Sequence, residues 1–164
     1  MTAGNSTPLS DGASAVLLAS DEWAAARRLP VLAHLVDAET AAVDFVHGEE
    51  GLLMAPVHAV PRLLARHGLA LQDIDLYEVH EAFASTVLAT LAAWEDPQFC
   101  TERLGLPGPL GAVDRSRLNT AGSSLATGHP FAATGGRILA TTAKLLHERG
   151  GGCLLYTSPS PRDS

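Results

Sequence analysis

The stretch "SLATGHPFAATGGRILATTAKLLHERGG" (124–151) constrains the fold most. A glycine-rich turn, with His129 locked between Gly128 and Pro130, runs into apolar positions at helical spacing. Proline is tolerated at the first helical turn, so a helix is expected over about 131–148 with His129 at its entrance. Glycines 122, 128, 135 and 136 let a ligand or a neighbouring segment approach the backbone closely. Free N–H groups at a helix start disfavour imidazolium. A histidine there is expected to be neutral, able to take a proton from a thiol or to donate a hydrogen bond to an oxyanion. On the tripeptide alone, a histidine that merely caps or packs is the plainer reading.

Upstream, strands and helices alternate. The apolar run "SAVLLAS" suits a buried strand. Ser20 or Asp21 caps a helix over "EWAAARRL", which Pro30 stops. "PVLAHLVDAE" (30–39) is a second candidate strand, and 40–54 reads as loop. In "VHAVPRLLARHGL", Val57, Val60, Leu63 and Leu64 fall at helical spacing, Gly68 fits the C-cap, and Pro61 is expected within the first turn. "LALQDIDLYEV" (69–79) combines a cap signal with a strand and feeds a helix over 80–94 that His80 begins. Residues 95–118 look irregular. This alternation predicts an α/β layered fold.

His80 stands where a strand feeds a helix, the place where α/β folds usually put ligands. A solvated helix cap is the alternative. Glu81 would orient a neighbouring imidazole or hold a structural hydrogen bond, and Phe83 and Ala84 read as core. Histidines 34, 47, 58, 67 and 147 show no metal-ligand spacing, so no metal is expected. "HGEEG" (47–51) reads as a solvated loop. There is no phosphate-binding loop and no dinucleotide fingerprint.

Charge narrows the function classes. A net charge of −7 and a pI near 5.4 argue against sequence-independent nucleic-acid binding and against anionic membranes. No apolar stretch is long enough to span a bilayer, and "MTAGNSTPLSDG" lacks the basic start of a signal peptide. Cys100 and Cys153 offer neither metal spacing nor a disulfide framework, which fits a reducing compartment. With 46% hydrophobic residues, a sizeable core can form in one domain or a large part of one.

Three motifs then stand in a characteristic order: "TAGNSTPLSDGASAVLL" (2–18), "HEAFA" (80–84) and "NTAGSSLATGHPFAATGGR" (119–137). Together they resemble the thiolase family, in the branch of fatty-acid β-oxidation thiolases. The likeness covers residues 2 to about 152 and the family's C-terminal half. It implies a thiolase-like layered αβαβα fold, with residues 1–20 ending the first half, 21–152 forming the C-terminal domain, and an upstream half still to come before them. It implies cleavage of 3-ketoacyl-CoA by CoA to acetyl-CoA and a shortened acyl-CoA, or the reverse Claisen condensation. It implies no cofactor, with coenzyme A as substrate. His129 would activate a nucleophilic cysteine and help stabilise the oxyanion, and His80 would support the same oxyanion site. Ser6, Thr7, Phe83 and Gly128 are the candidate CoA-binding residues, Thr7 matching the family's CoA-contacting serine. A homo-oligomer, with or without a hydratase–dehydrogenase partner, is implied. So is a cytoplasmic location in a bacterium, or a mitochondrial or peroxisomal one in a eukaryote.

The chain also departs from the family. The nucleophilic cysteine belongs to the family's N-terminal half, and neither Cys100 nor Cys153 stands in its motif. The family's second cysteine, in "C-x-G-G", is expected about ten residues after Arg149, where Pro159 stands. Residues 153–164 are low in apolar content and rich in serine and proline, so a disordered tail of non-native, read-through or frameshifted sequence is expected. The chain by itself is therefore expected to be inactive. Two other readings remain: another condensing enzyme of the superfamily, such as a 3-ketoacyl synthase, or a non-catalytic fragment that binds CoA or partner subunits.

Overall fold

The computed structural model describes residues 1–158. Helix α1 (Asp21–Ala26) starts where Ser20 accepts a hydrogen bond from the Trp23 N–H at 3.2 Å. Helix α2 (Ala55–His67) ends on Gly68 in the left-handed region, φ 62°, as its glycine predicts. Pro61 is not in the first turn: the helix starts at Ala55, so Pro61 falls in its interior. Proline has no N–H to give the carbonyl four residues back. That carbonyl, on Val57, instead accepts from the indole N–H of Trp94 at 3.3 Å.

Strand β1 (Leu76–Val79) is buried along its whole length. A short 3-10 turn at Leu71–Asp73 leads into it, and the buried Tyr77 hydroxyl donates back to the Leu71 carbonyl at 2.5 Å. After β1 come α3 (Ala84–Glu95), α4 (Pro97–Glu102), α5 (Ser124–Thr127) and α6 (Phe131–Arg149). The predicted helix over 80–94 thus begins four residues later than its sequence suggests, leaving His80 in the turn after β1. Within the stretch expected to be irregular, Asp96 caps α4, its carboxylate accepting from the N–H groups of Gln98 and Phe99. The long C-terminal helix stands where it was expected, between Pro130 at its N-cap and Gly150 at its C-cap.

Strand β2 (Leu154–Thr157) then pairs in parallel with β1, Leu76 beside Leu154 and Val79 beside Thr157. Parallel neighbours need a long crossover, and α3 to α6 provide it. This corrects the expectation of disorder from residue 153. Leu154, Leu155 and Tyr156 supply an apolar, aromatic run with strand propensity, and Leu155 is buried in the core. The remaining tail, 159–164, lies outside the described residues. Along the other edge of β1, Leu118 bridges Tyr77 in parallel. Asn119 continues this edge with its side chain: its amide oxygen accepts from the Val79 N–H at 2.8 Å and its amide nitrogen donates to the Val79 carbonyl at 3.0 Å.

Val57, Val60 and Leu64 of α2, Val87, Leu91 and Trp94 of α3, and Tyr77 and Val79 of β1 make the core. The first 46 residues are different. The two stretches read as buried strands, "SAVLLAS" and 30–39, form no strand, and Leu17 (73% exposed) and Val36 (80% exposed) face solvent. A strand satisfies its backbone only against a neighbour, and among the described residues no strand flanks either stretch. Residues 15–41, α1 among them, instead form a strap over a cavity of about 1380 Å³, walled on the other side by α2, α6 and β2. That is larger than the voids a packed domain leaves for itself.

Candidate active site

Three connections meet at the C-terminal end of β1: the turn Glu81–Phe83, the loop around Asn119–Ser124, and the Gly128–Pro130 turn that opens α6. The N-terminal segment ties them together. Ser6 forms a bridge with Phe83, the Thr7 N–H donates to the Ala82 carbonyl at 3.1 Å, and the His129 N–H donates to the Pro8 carbonyl at 3.2 Å. Gly128 has φ 97°, which favours glycine, and a side chain there would collide with Ser10. All six residues singled out in the sequence, Ser6, Thr7, His80, Phe83, Gly128 and His129, therefore converge on one region.

The two imidazoles meet there. The ring centroids of His80 and His129 are 4.3 Å apart, with the planes at 50°. His129 is 6% exposed, and Phe131 packs on its ring at 4.6 Å. Burial, and then the Arg137 charge, push its pKa below the ordinary histidine range. Burial, His129 and Arg137 together push His80 down to about 4. At both rings desolvation is the first cause, and it favours the neutral imidazole.

Their ring nitrogens are held by hydroxyls that spacing did not single out. His129 Nδ1 lies 2.6 Å from Thr134 Oγ1, and that hydroxyl donates its own proton to the Pro130 carbonyl at 3.3 Å. Nδ1–H is therefore the donor in the first contact, and Nε2 of His129 keeps a free lone pair. His80 Nδ1 lies 2.8 Å from Ser124 Oγ, which also receives the Arg137 guanidinium at 2.9 Å. His80 Nε2 is buried with no hydrogen-bond partner.

Glu81 does not reach either ring as a partner. Its carboxylate accepts from the Asn119 amide at 2.6 Å and from the Leu125 N–H at 3.0 Å, so it fastens the loops that carry the histidines. Glu78 was also missed: it is 1% exposed, neither carboxyl oxygen has a partner, and burial raises its pKa to about 7. It stands on β1, two residues before His80, and the Arg137 charge opposes the upward shift of its pKa.

Neither thiol belongs to this cluster. Cys100 is fully buried in α4, its Sγ donating to the Ala93 and Trp94 carbonyls. Cys153 stands where β2 begins, its N–H donating to Asp75, and burial and the Asp75 charge raise its thiol pKa. His80 follows the opposite end of the sheet, about 16 Å away at roughly 3.3 Å per strand residue. The cavity beneath residues 15–41 reaches His80, whereas His129 opens on a smaller cleft lined by Leu9, Ser10, Asp11 and Phe131. Among the described residues no group of three or more histidine, cysteine or carboxylate side chains could hold a metal, and no helix is long and apolar enough to cross a membrane.

Comparison with known proteins places this arrangement. The family described as thiolase, C-terminal domain, matches residues 29–158. A 3-ketoacyl-CoA thiolase of Yersinia pestis (strain Pestoides F) is 44% identical over 158 residues, which are 96% of this chain and 36% of the relative. The crystal structure of the dimeric peroxisomal thiolase of Saccharomyces cerevisiae superimposes with a TM-score of 0.66 at 35% identity, over 88% of this chain and 32% of that one. Human mitochondrial 3-ketoacyl-CoA thiolase gives the same TM-score, 0.66, at 30% identity, over 92% of this chain and 33% of that one. The chain thus spans about a third of the length of the proteins it matches.

Proposed function

We propose, from the premise that this chain belongs to the thiolase family and has its α/β fold over the C-terminal domain, that it supplies the two-histidine side of a thiolase active site. The substrate is a 3-ketoacyl-CoA and the acceptor is CoA. The observation that carries this reading is the 4.3 Å approach of two buried, neutral imidazoles at the end of a strand.

The chemistry follows from that geometry. His129 Nε2 takes the proton of a cysteine thiol contributed from outside these 164 residues. The thiolate attacks the 3-keto carbon, and His80 and the protonated His129 face the oxyanion that forms. The bond between C2 and C3 then breaks, its electron pair leaving with the acetyl-CoA portion, which picks up a proton. The acyl thioester passes to the thiol of free CoA. Ser6, Thr7, Phe83 and Gly128 line the approach for the pantetheine arm. Without a thiol near His129, the chain alone does not turn over. The intact assembly is a homo-oligomer, as the yeast relative is dimeric, and a hydratase–dehydrogenase subunit would supply its 3-ketoacyl-CoA.

The test is a chimera in which residues 1–152 replace the matching segment of the Yersinia pestis relative. Thiolysis of acetoacetyl-CoA should appear in the chimera, be absent from the 164-residue chain, and fall at least about 100-fold with His129→Ala, the usual scale for losing a general base. A folded chimera indifferent to His129→Ala would refute the assignment.

A second reading has its own support. The exposed apolar strap and the cavity beneath it suit a chain that associates with another polypeptide without catalysing anything. CoA binding by the chain alone, together with an inactive chimera, would favour it.

A further inference from the structure

Ser124 is fully buried, and its hydroxyl touches two groups of known polarity. The Arg137 guanidinium, 2.9 Å away, can only donate. Ser124 Oγ therefore accepts from Arg137, and its single proton is left for His80 Nδ1, 2.8 Å away. Among the described residues no other hydrogen bond of that hydroxyl is recorded. If Nδ1 accepts, the ring proton sits on Nε2, the nitrogen that is buried without a partner. His129 is arranged the other way round, with Nδ1–H spent on Thr134 and Nε2 bare.

Two neighbours of the pair carry unmatched buried atoms of their own. Arg137 Nε has no partner, and neither do the two carboxyl oxygens of Glu78, which stands on β1 two residues before His80. A cation set against Ser124 polarises its hydroxyl toward the imidazole and disfavours any arrangement in which the ring donates to Oγ. Buried polar groups left unpaired in a folded chain are uncommon and concentrate where a ligand completes them.

We propose that Ser124, fixed by Arg137, is a positioning residue that holds His80 as its Nε2–H tautomer. The two rings then have opposite jobs: His129 presents a lone pair and acts as base, while His80 presents an N–H and acts as donor to the reacting oxygen. The division of labour rests on the thiolase reading above; the tautomer itself does not.

Nitrogen-15 NMR of the full 164-residue chain, labelled in histidine, tests this directly at pH 7.5, with His80→Gln assigning the resonance. His80 should show a protonated Nε2 and an unprotonated, hydrogen-bonded Nδ1. Ser124→Ala should turn that single tautomer into a mixture of both, and Ser124→Thr should restore it. A His80 protonated on Nδ1 in the unmodified chain would overturn the proposal, even if Ser124→Ala failed to fold. So would a Ser124→Ala spectrum like that of the unmodified chain. An inactive chimera beside a clean Nε2–H signal would sink the catalytic reading and leave the role of Ser124 standing.

Discussion

His80 and His129 come from different turns of the chain, yet their rings pack 4.3 Å apart, each fixed through Nδ1 by a buried hydroxyl. The contact is built by backbone as much as by side chains. Asn119 and Glu81 lock the first turn, and the Pro8 carbonyl holds the second through the His129 N–H.

The hydroxyl behind His129 should matter to the reaction. Thr134→Val leaves the Nδ1–H of His129 unpaired and frees the ring to turn or to change tautomer. In the chimera, kcat should fall roughly 10- to 100-fold, while Thr134→Ser stays within about 3-fold, since it keeps the acceptor. Steady-state kinetics with acetoacetyl-CoA measure both. Equal loss in the two variants would point to packing of the methyl group instead.

The acidic and basic groups of the site pull stability in opposite directions. His80, lowered from 6.5 to about 4, contributes fully above 6.5 and loses that contribution as pH falls toward 4. Glu78, raised from 4.5 to about 7, contributes fully below 4.5 and loses its contribution as pH rises toward 7. Between about 4.5 and 6.5 the slopes oppose one another, each at most about 1.4 kcal/mol per pH unit. Stability should be nearly flat in that window. Glu78→Gln removes one slope, so stability should then decline on acidification by about 1 kcal/mol per pH unit. Urea melts at stepped pH read this out; parallel profiles for the two proteins would contradict it.

The proline inside α2 and the tryptophan on α3 should be energetically coupled. Trp94→Phe leaves the Val57 carbonyl without its donor, at a cost of about 1–3 kcal/mol beyond lost packing. In a Pro61→Ala background the helix regains an N–H for that carbonyl, and the Trp94→Phe penalty should shrink by about 1 kcal/mol. A double-mutant cycle by chemical denaturation gives the coupling. Strict additivity would mean that water already serves the carbonyl.

Elements with local signals were legible in the sequence: the Ser20 cap, Gly68 at the end of α2, and the turn and long helix around His129. Those depending on partners were not. "SAVLLAS" has the composition of a strand, but a strand exists only beside a neighbour, and its leucines lie open here. β2 was hidden because its four residues sit against a serine- and proline-rich tail that dominates the local composition. His80 and His129 stood out through their turn residues. Ser124, Thr134 and Arg137 did not, because hydroxyls and a guanidinium scattered along α5 and α6 form no spacing pattern until the fold brings them under the rings. Glu78 looked like an ordinary strand carboxylate, and only burial made it unusual.

The central claim is that two uncharged imidazoles share one site. Titration of the histidine C2–H resonances of the 164-residue chain, with His80→Gln and His129→Gln as assignments, tests it most directly. His80 should titrate near pH 4 and His129 below 6.5, with nuclear Overhauser contacts between the two rings. Two rings that titrate independently at or above 6.5, with no contact between them, would contradict the account.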